Sequence, residues 1–149
     1  MKIRHALLSD ATDLAWIHSQ CFEVSWNNET FEACIENDVV VVADTPVAGF
    51  IVLRDAGFEA EILTLAVAPD KRRKQIASRI LGFVTAPKFL ARWRDIFLEV
   101  GVNNQAALAL YTSHGFLPIG TRKNYYSHSD GTFEDAIVMS RSLATSANI

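Results

Sequence analysis

Residues 61–77 read Glu-Ile-Leu-Thr-Leu-Ala-Val-Ala-Pro-Asp-Lys-Arg-Arg-Lys-Gln-Ile-Ala, and no other stretch limits the possible folds as sharply. Residues 62–67 are an apolar run of strand length. Pro69 ends it, and Asp70 is placed to cap the next element. Four cations, Lys71, Arg72, Arg73 and Lys74, then open a helical pattern in which Ile76, Ala77, Ile80, Leu81 and Val84 recur at three- and four-residue spacing. A strand that feeds a helix through a short basic turn sets backbone N–H groups and the positive helix end at the strand's C-terminus. That arrangement suits a phosphate. A second strand-like run comes at 96–100, so the unit reads strand, crossover helix, strand: a parallel pair with a right-handed connection.

The chain has 149 residues, half of them apolar, which is enough for one domain that buries a core without disulfides or metal. We expect that domain to span residues 1–143, with the small, polar residues 144–149 as a tail. A net charge of −3 argues against a general nucleic-acid binder, so the basic cluster asks for a local anion. Cys21 and Cys34 read as reduced thiols, and no Cys/His spacing suits a structural metal, so none is expected. The N-terminus has no signal-peptide pattern and no stretch is long enough to span a bilayer. The expectation is a cytoplasmic chain that binds no membrane.

In chain order, residues 2–6 read as a short strand, and Ser9 and Asp10 as N-cap candidates for a helix that places Leu14, Ile17, His18 and Cys21 on one face. His18 there reads as a packing residue. Residues 23–28 break the pattern, and a second helix starts at Asn27 or Asn28 and runs to Asn37. Residues 39–43 and 47–53 read as a hairpin about Asp44-Thr45-Pro46. After the central helix, Pro87 and a basic, Trp-containing connection lead into 96–100. Asn103 or Asn104 caps a helix ending near His114, with Gly115 where a left-handed residue is wanted. Residues 116–121 and 136–141 read as a closing antiparallel pair joined by a polar, aromatic loop over 122–135.

Two groups of residues carry a resemblance. Arg72-Arg73-Lys74-Gln75-Ile76-Ala77 resembles the pyrophosphate signature Gln/Arg-x-x-Gly-x-Gly/Ala of the GNAT acetyltransferases, with Gln75 where a glycine is expected. Leu98-Glu99-Val100, then Asn103 to Tyr111, Gly115-Phe116, Arg122-Lys123-Asn124-Tyr125-Tyr126 and Glu134-Asp135-Ala136 resemble the GNAT subgroup that acetylates the N-terminal amine of a ribosomal protein. Gly101 departs from that subgroup, whose members often carry arginine there. The resemblance implies an α/β GNAT fold: a mixed, mostly antiparallel sheet with one parallel strand pair and helices on both faces. It implies acetyl-CoA as co-substrate and a protein N-terminal α-amine as acceptor, first among them the terminal alanine of ribosomal protein S18. Another protein terminus, a lysine, a small amine, or a CoA-binding module without turnover are the alternatives. We expect a monomer or weak dimer with no direct nucleic-acid contact.

Acetyl transfer from a thioester to an amine makes four demands, and the sequence offers residues for each. The cofactor's diphosphate falls to Arg72, Arg73, Lys74, Gln75, Ile76, Ala77 and Ser78. A distorted strand end at Leu65, Ala66 and Val67 can give a backbone N–H to the thioester carbonyl. Glu99 can take the ammonium proton, through a water, and Tyr111 can protonate the leaving thiolate. The resemblance adds Asn104 as a contact to the pantetheine arm. Against these stand plainer readings, in which Glu99 pairs with an arginine and Tyr111 is a packing aromatic. Glu23, Trp26, Tyr125, Glu134 and Asp135 are the expected acceptor contacts, the acids facing a basic second residue of the peptide. For Gln75 we expect a helical residue whose side chain turns outward and leaves its N–H free.

Overall fold

The computed structural model describes residues 1–86 and 92–143; the expectations for residues 87–91 and the tail fall outside the described residues. The chain gathers into two compact units, Met1–Asp55 with Ile62–Ala86, and Ala56–Glu61 with the described residues beyond 91.

The first unit holds β1 (Ile3–His5), α1 (Ala11–Cys21), α2 (Asn28–Asn37), β2 (Val39–Ala43), β3 (Gly49–Asp55), the later part of β4 (Glu59–Val67) and α3 (Ile76–Val84). Its strand order is β1-β2-β3-β4. β1 and β3 flank β2 antiparallel, with Ile3 opposite Ala43 and Val41 opposite Ile51. All five β2 residues are buried, as a β-branched run covered on both faces should be. Strand alternation sorts them. Val40, Val42, Phe50 and Val52 pack with Ala11, Leu14 and Ile17 of α1 and Phe31 and Cys34 of α2. Val41, Ile51 and Leu53 point the other way, and α3 packs on β2 and β3, burying Ile76, Ile80, Leu81 and Val84. Helices therefore cover both faces, as expected.

The second unit contains the start of β4, β5 (Asp95–Gly101), α4 (Gln105–Ser113), β6 (Leu117–Ser127) and β7 (Phe133–Ser142). Its order is β4-β5-β7-β6. The expected parallel pair is present, with Glu59, Ala60 and Glu61 opposite Asp95, Ile96 and Phe97. β7 runs antiparallel to β5 along its whole length, from Asp95 opposite Ser142 to Gly101 opposite Ala136. Gly115 takes the left-handed conformation, φ 86°, that closes α4, and Arg141 Nη1 donates to the His114 carbonyl at 2.7 Å, tying the helix end to β7.

Three local expectations are corrected. Asp10 precedes α1 but does not cap it. Its carboxylate accepts from both guanidinium nitrogens of Arg4, at 2.8 and 3.1 Å, and from the Leu7 N–H at 2.7 Å. Asp70 does not cap α3, which starts only at Ile76; Pro69–Lys71 is a short 3-10 turn, so the four cations lie on a turn and not on the helix. The loop expected over 122–135 is mostly strand, because β6 continues to Ser127 and β7 begins at Phe133. Asn27 and Asn104 do cap their helices, accepting from Thr30 N at 2.9 Å and Ala107 N at 3.2 Å.

Candidate active site

The basic turn of the first unit is shaped by backbone. Arg73 and Gln75 both sit in the left-handed region, φ 63° and 59°. Such alternation splays successive N–H groups to one side, a concavity suited to anions. Gln75 is the N-cap of α3: its carbonyl accepts from Arg79 N at 3.0 Å, and its side chain makes no capping bond. The expectation of a helical Gln75 is therefore corrected. The family signature wants glycine there because the backbone is left-handed, a conformation that disfavours a Cβ. The first N–H groups of a helix lack intrahelical partners, and here no carboxylate lies in the first turn of α3 to compete for them. Arg72 Nη2 lies 3.3 Å from the Cys21 thiol, which in turn donates to the Val67 carbonyl at 3.5 Å, so the turn is anchored to α1 and to the end of β4. Gly49 permits this closeness, since a Cβ there would meet the Ala66 carbonyl and the side chain of Ile76 at 3.1 Å. Leu65 and Val67 are half-buried on one face of β4, with Ala66 buried on the other.

The second unit assembles a carboxylate with three tyrosines. Glu99 lies on β5, its side chain 13% exposed, and Arg122 Nε reaches its Oε1 at 2.9 Å. The plainer reading of Glu99 as an arginine's partner is thus realised, with Arg122. Oε2 is buried and has no hydrogen-bond partner. The Tyr126 hydroxyl donates to the Glu99 carbonyl at 3.4 Å, and the Tyr125 and Tyr126 rings meet edge to face at 5.1 Å. Arg122 stacks over the Tyr125 ring, 5.3 Å from its centroid. Proximity to the Glu99 carboxylate, as an acceptor first and as a charge second, raises the pKa of the Tyr125 hydroxyl, though the two do not meet in hydrogen-bond geometry.

A β-bulge brings these groups together. Between Arg122 opposite Ala136 and Tyr126 opposite Glu134, β6 carries more residues than β7. Asn124 takes φ 53°, and its N–H donates to Asp135 Oδ1 at 2.9 Å, which pins the bulge. Asp135, expected to face a peptide, is engaged here. Glu134 is engaged too, with Oε2 accepting from Asn103 N at 2.8 Å and Oε1 paired with His128 Nε2 at 2.9 Å. Its carboxylate fills the space that a side chain on residue 101 would need.

Tyr111 is buried on α4, its ring edge-on to Phe116 at 5.6 Å. Burial, and secondarily the nearby Tyr126, push its pKa up, so the hydroxyl stays protonated at any working pH and remains a donor. Trp26 belongs to the first unit's core edge, stacked on His18 at 5.0 Å. His18 Nδ1 accepts from Trp26 N at 3.1 Å, which agrees with a packing role. Glu23 lies in the same break between α1 and α2. Among the described residues no group of three His, Cys, Asp or Glu side chains could hold a metal, and no helix is long and apolar enough to cross a membrane.

Comparison with known proteins gives the family. Residues 11–116 match the model of the acetyltransferase (GNAT) family. Over 134 residues the chain is 32% identical to the [ribosomal protein bS18]-alanine N-acetyltransferase of Salmonella typhimurium, covering 86% of this chain and 90% of that protein. The crystal structure of the ribosomal-protein-S18-alanine N-acetyltransferase from Escherichia coli superposes with a TM-score of 0.85 at 28% identity, over 95% of this chain and 93% of that one. A putative acetyltransferase from Salmonella typhimurium, solved with its cofactor acetyl-CoA, shares the fold at TM-score 0.84 and 17% identity, covering 96% and 94%. The chain belongs to the GNAT family and is an acetyl-CoA-dependent N-acetyltransferase.

Proposed function

We propose that this member of the GNAT family acetylates a protein N-terminal α-amine, that of the alanine that begins ribosomal protein bS18. The observation that carries the acceptor is the near end-to-end match to the Salmonella enzyme named for that substrate. The chemistry favours a chain terminus over a lysine. An α-amine has a pKa of about 7.7–8.0 against about 10.4 for lysine, so deprotonation near neutrality costs roughly 3 kcal/mol less.

In this reading the turn at Arg72, Arg73, Lys74 and Gln75, with the first N–H groups of α3 at Ile76, Ala77 and Ser78, holds the cofactor's diphosphate. Backbone at Leu65, Ala66 and Val67 polarises the thioester carbonyl. Asn104 combines its capping bond with a contact to the pantetheine arm. Glu99 takes the ammonium proton, and Tyr111, kept protonated by burial, donates to the leaving thiolate. Tyr125 walls the acceptor. Glu134 and Asp135 support that wall through their backbone contacts to Asn103 and Asn124.

Thiol release from acetyl-CoA in the presence of a peptide beginning Ala-Arg-Tyr tests the reading, with an N-terminally blocked lysine peptide as control. General acid–base catalysis is typically worth about 10²- to 10⁴-fold, so Glu99→Gln should cut turnover by that order, with partial recovery at higher pH. Tyr111→Phe removes only the hydroxyl and should slow turnover without changing the KM for acetyl-CoA. Native turnover in both variants, or preference for the lysine peptide, would sink the assignment.

A further inference from the structure

Glu99 is held at one oxygen and left open at the other. Oε1 is tied to Arg122, while Oε2 is buried with no hydrogen-bond partner. A buried acceptor left unpaired is costly, and the nearby Tyr125 hydroxyl does not meet this one in hydrogen-bond geometry, so its partner is to be sought in something that binds there. The arginine's side chain is 59% exposed, so solvent screens the pair and discounts its worth to stability. Its pose is not accidental. The bulge between Arg122 and Tyr126 re-aims it, Asn124 and Asp135 fix the bulge, and the Tyr125 ring lies against the guanidinium.

Resting on the reading of Glu99 as the base, we propose that Arg122 is a positioning residue: by gripping Oε1 it orients the carboxylate so that the acceptor's primary ammonium docks on Oε2 and gives up its proton there. The N–H bond breaks with its electron pair left on nitrogen, the proton becomes that of a neutral carboxylic acid, and it passes to solvent before the next turnover. The site thus takes a primary ammonium through one of its N–H groups. A guanidinium, which binds a carboxylate best through both oxygens, finds Oε1 already taken.

Steady-state kinetics of Arg122→Ala and Arg122→Lys, with the Ala-Arg-Tyr peptide and acetyl-CoA varied in turn, test this. A misplacement of about 1 Å at a reacting group can cost about 10²-fold. Arg122→Ala should lose kcat by about that factor, with the acetyl-CoA KM and the melting temperature nearly unchanged. Arg122→Lys should fall between it and the native enzyme, and added guanidinium ion should restore part of the alanine variant's kcat. Native kcat in Arg122→Ala overturns the proposal, as does a loss that guanidinium leaves unrescued and that comes with a lowered melting temperature. Glu99→Gln run alongside separates the two readings. If Glu99→Gln is silent, the base assignment falls and this proposal with it; if Glu99→Gln is inactive and Arg122→Ala is native, only this proposal falls.

Discussion

Gln75 shows how one backbone angle organises a binding turn. A non-glycine residue in the left-handed region costs roughly 1–2 kcal/mol, while glycine gives back about 0.5–1 kcal/mol through its freer unfolded chain. Gln75→Gly should therefore be neutral to stabilising by up to about 1 kcal/mol, and should change the acetyl-CoA KM by less than about tenfold, since the N–H already points as glycine's would. Thermal melts and acetyl-CoA titrations check both. A hundredfold gain in affinity would mean that the native side chain obstructs the site. The residue was legible in the sequence as a departure from the signature, but its conformation was not. Helical spacing from Ile76 onward runs smoothly backward into the cations, and nothing in residue type marks where the helix stops and a left-handed turn begins.

At the scale of elements, periodicity located best those that bury one face or both: β2 and α2 lie almost to the residue where the pattern puts them, whereas α3 starts only at Ile76, after the cations that the pattern drew into it. The one large failure, the supposed loop over 122–135, has a physical cause. β6 is exposed along nearly all its length and carries extra residues at the bulge, so its side-chain alternation loses phase in the middle and leaves no two-residue period to read. Glu99 and Tyr111 stand out as candidates from their motif. Arg122 as the partner of Glu99 does not, since the bulge that aims it leaves no local signal. The bulge makes its own prediction. Asp135→Ala removes the acceptor that pins Asn124 and should lower kcat about tenfold or more through Arg122 and Glu99. A loss of about 1 kcal/mol would lower the melting temperature by about 2–4 °C. Asp135→Asn, which keeps an acceptor oxygen, should stay near native in both. Equal loss of activity in the two variants would show that the carboxylate's charge matters rather than its hold on the bulge.

For the whole molecule, two imidazoles, one buried and one half-buried, set how stability responds to acid. Burial lowers the pKa of His18, and burial aided by Arg141 lowers that of His114, one in each compact unit. Both are neutral when folded at neutral pH and bind protons more readily when the chain unfolds. Stability is therefore fully present above the unfolded value of about 6.5 and falls as pH drops through the folded values. Asp10, held down first by its hydrogen bond from Arg4, adds loss only below about pH 3.9. Melting temperature should thus be flat from pH 8 to 7 and decline toward pH 5 at constant ionic strength; a flat profile to pH 5 would contradict these assignments.

The Glu134 carboxylate, seated where residue 101 lacks a side chain, constrains how this sequence can change over generations. Its clamp on Asn103 and His128 keeps it from swinging aside, so any side chain at position 101 meets an occupied space. An arginine there becomes acceptable only after Glu134 has been shortened. The mutational route from this chain to one with arginine at 101 is ordered, with position 134 moving first. A library that randomises both positions should recover arginine at 101 almost solely beside a small residue at 134.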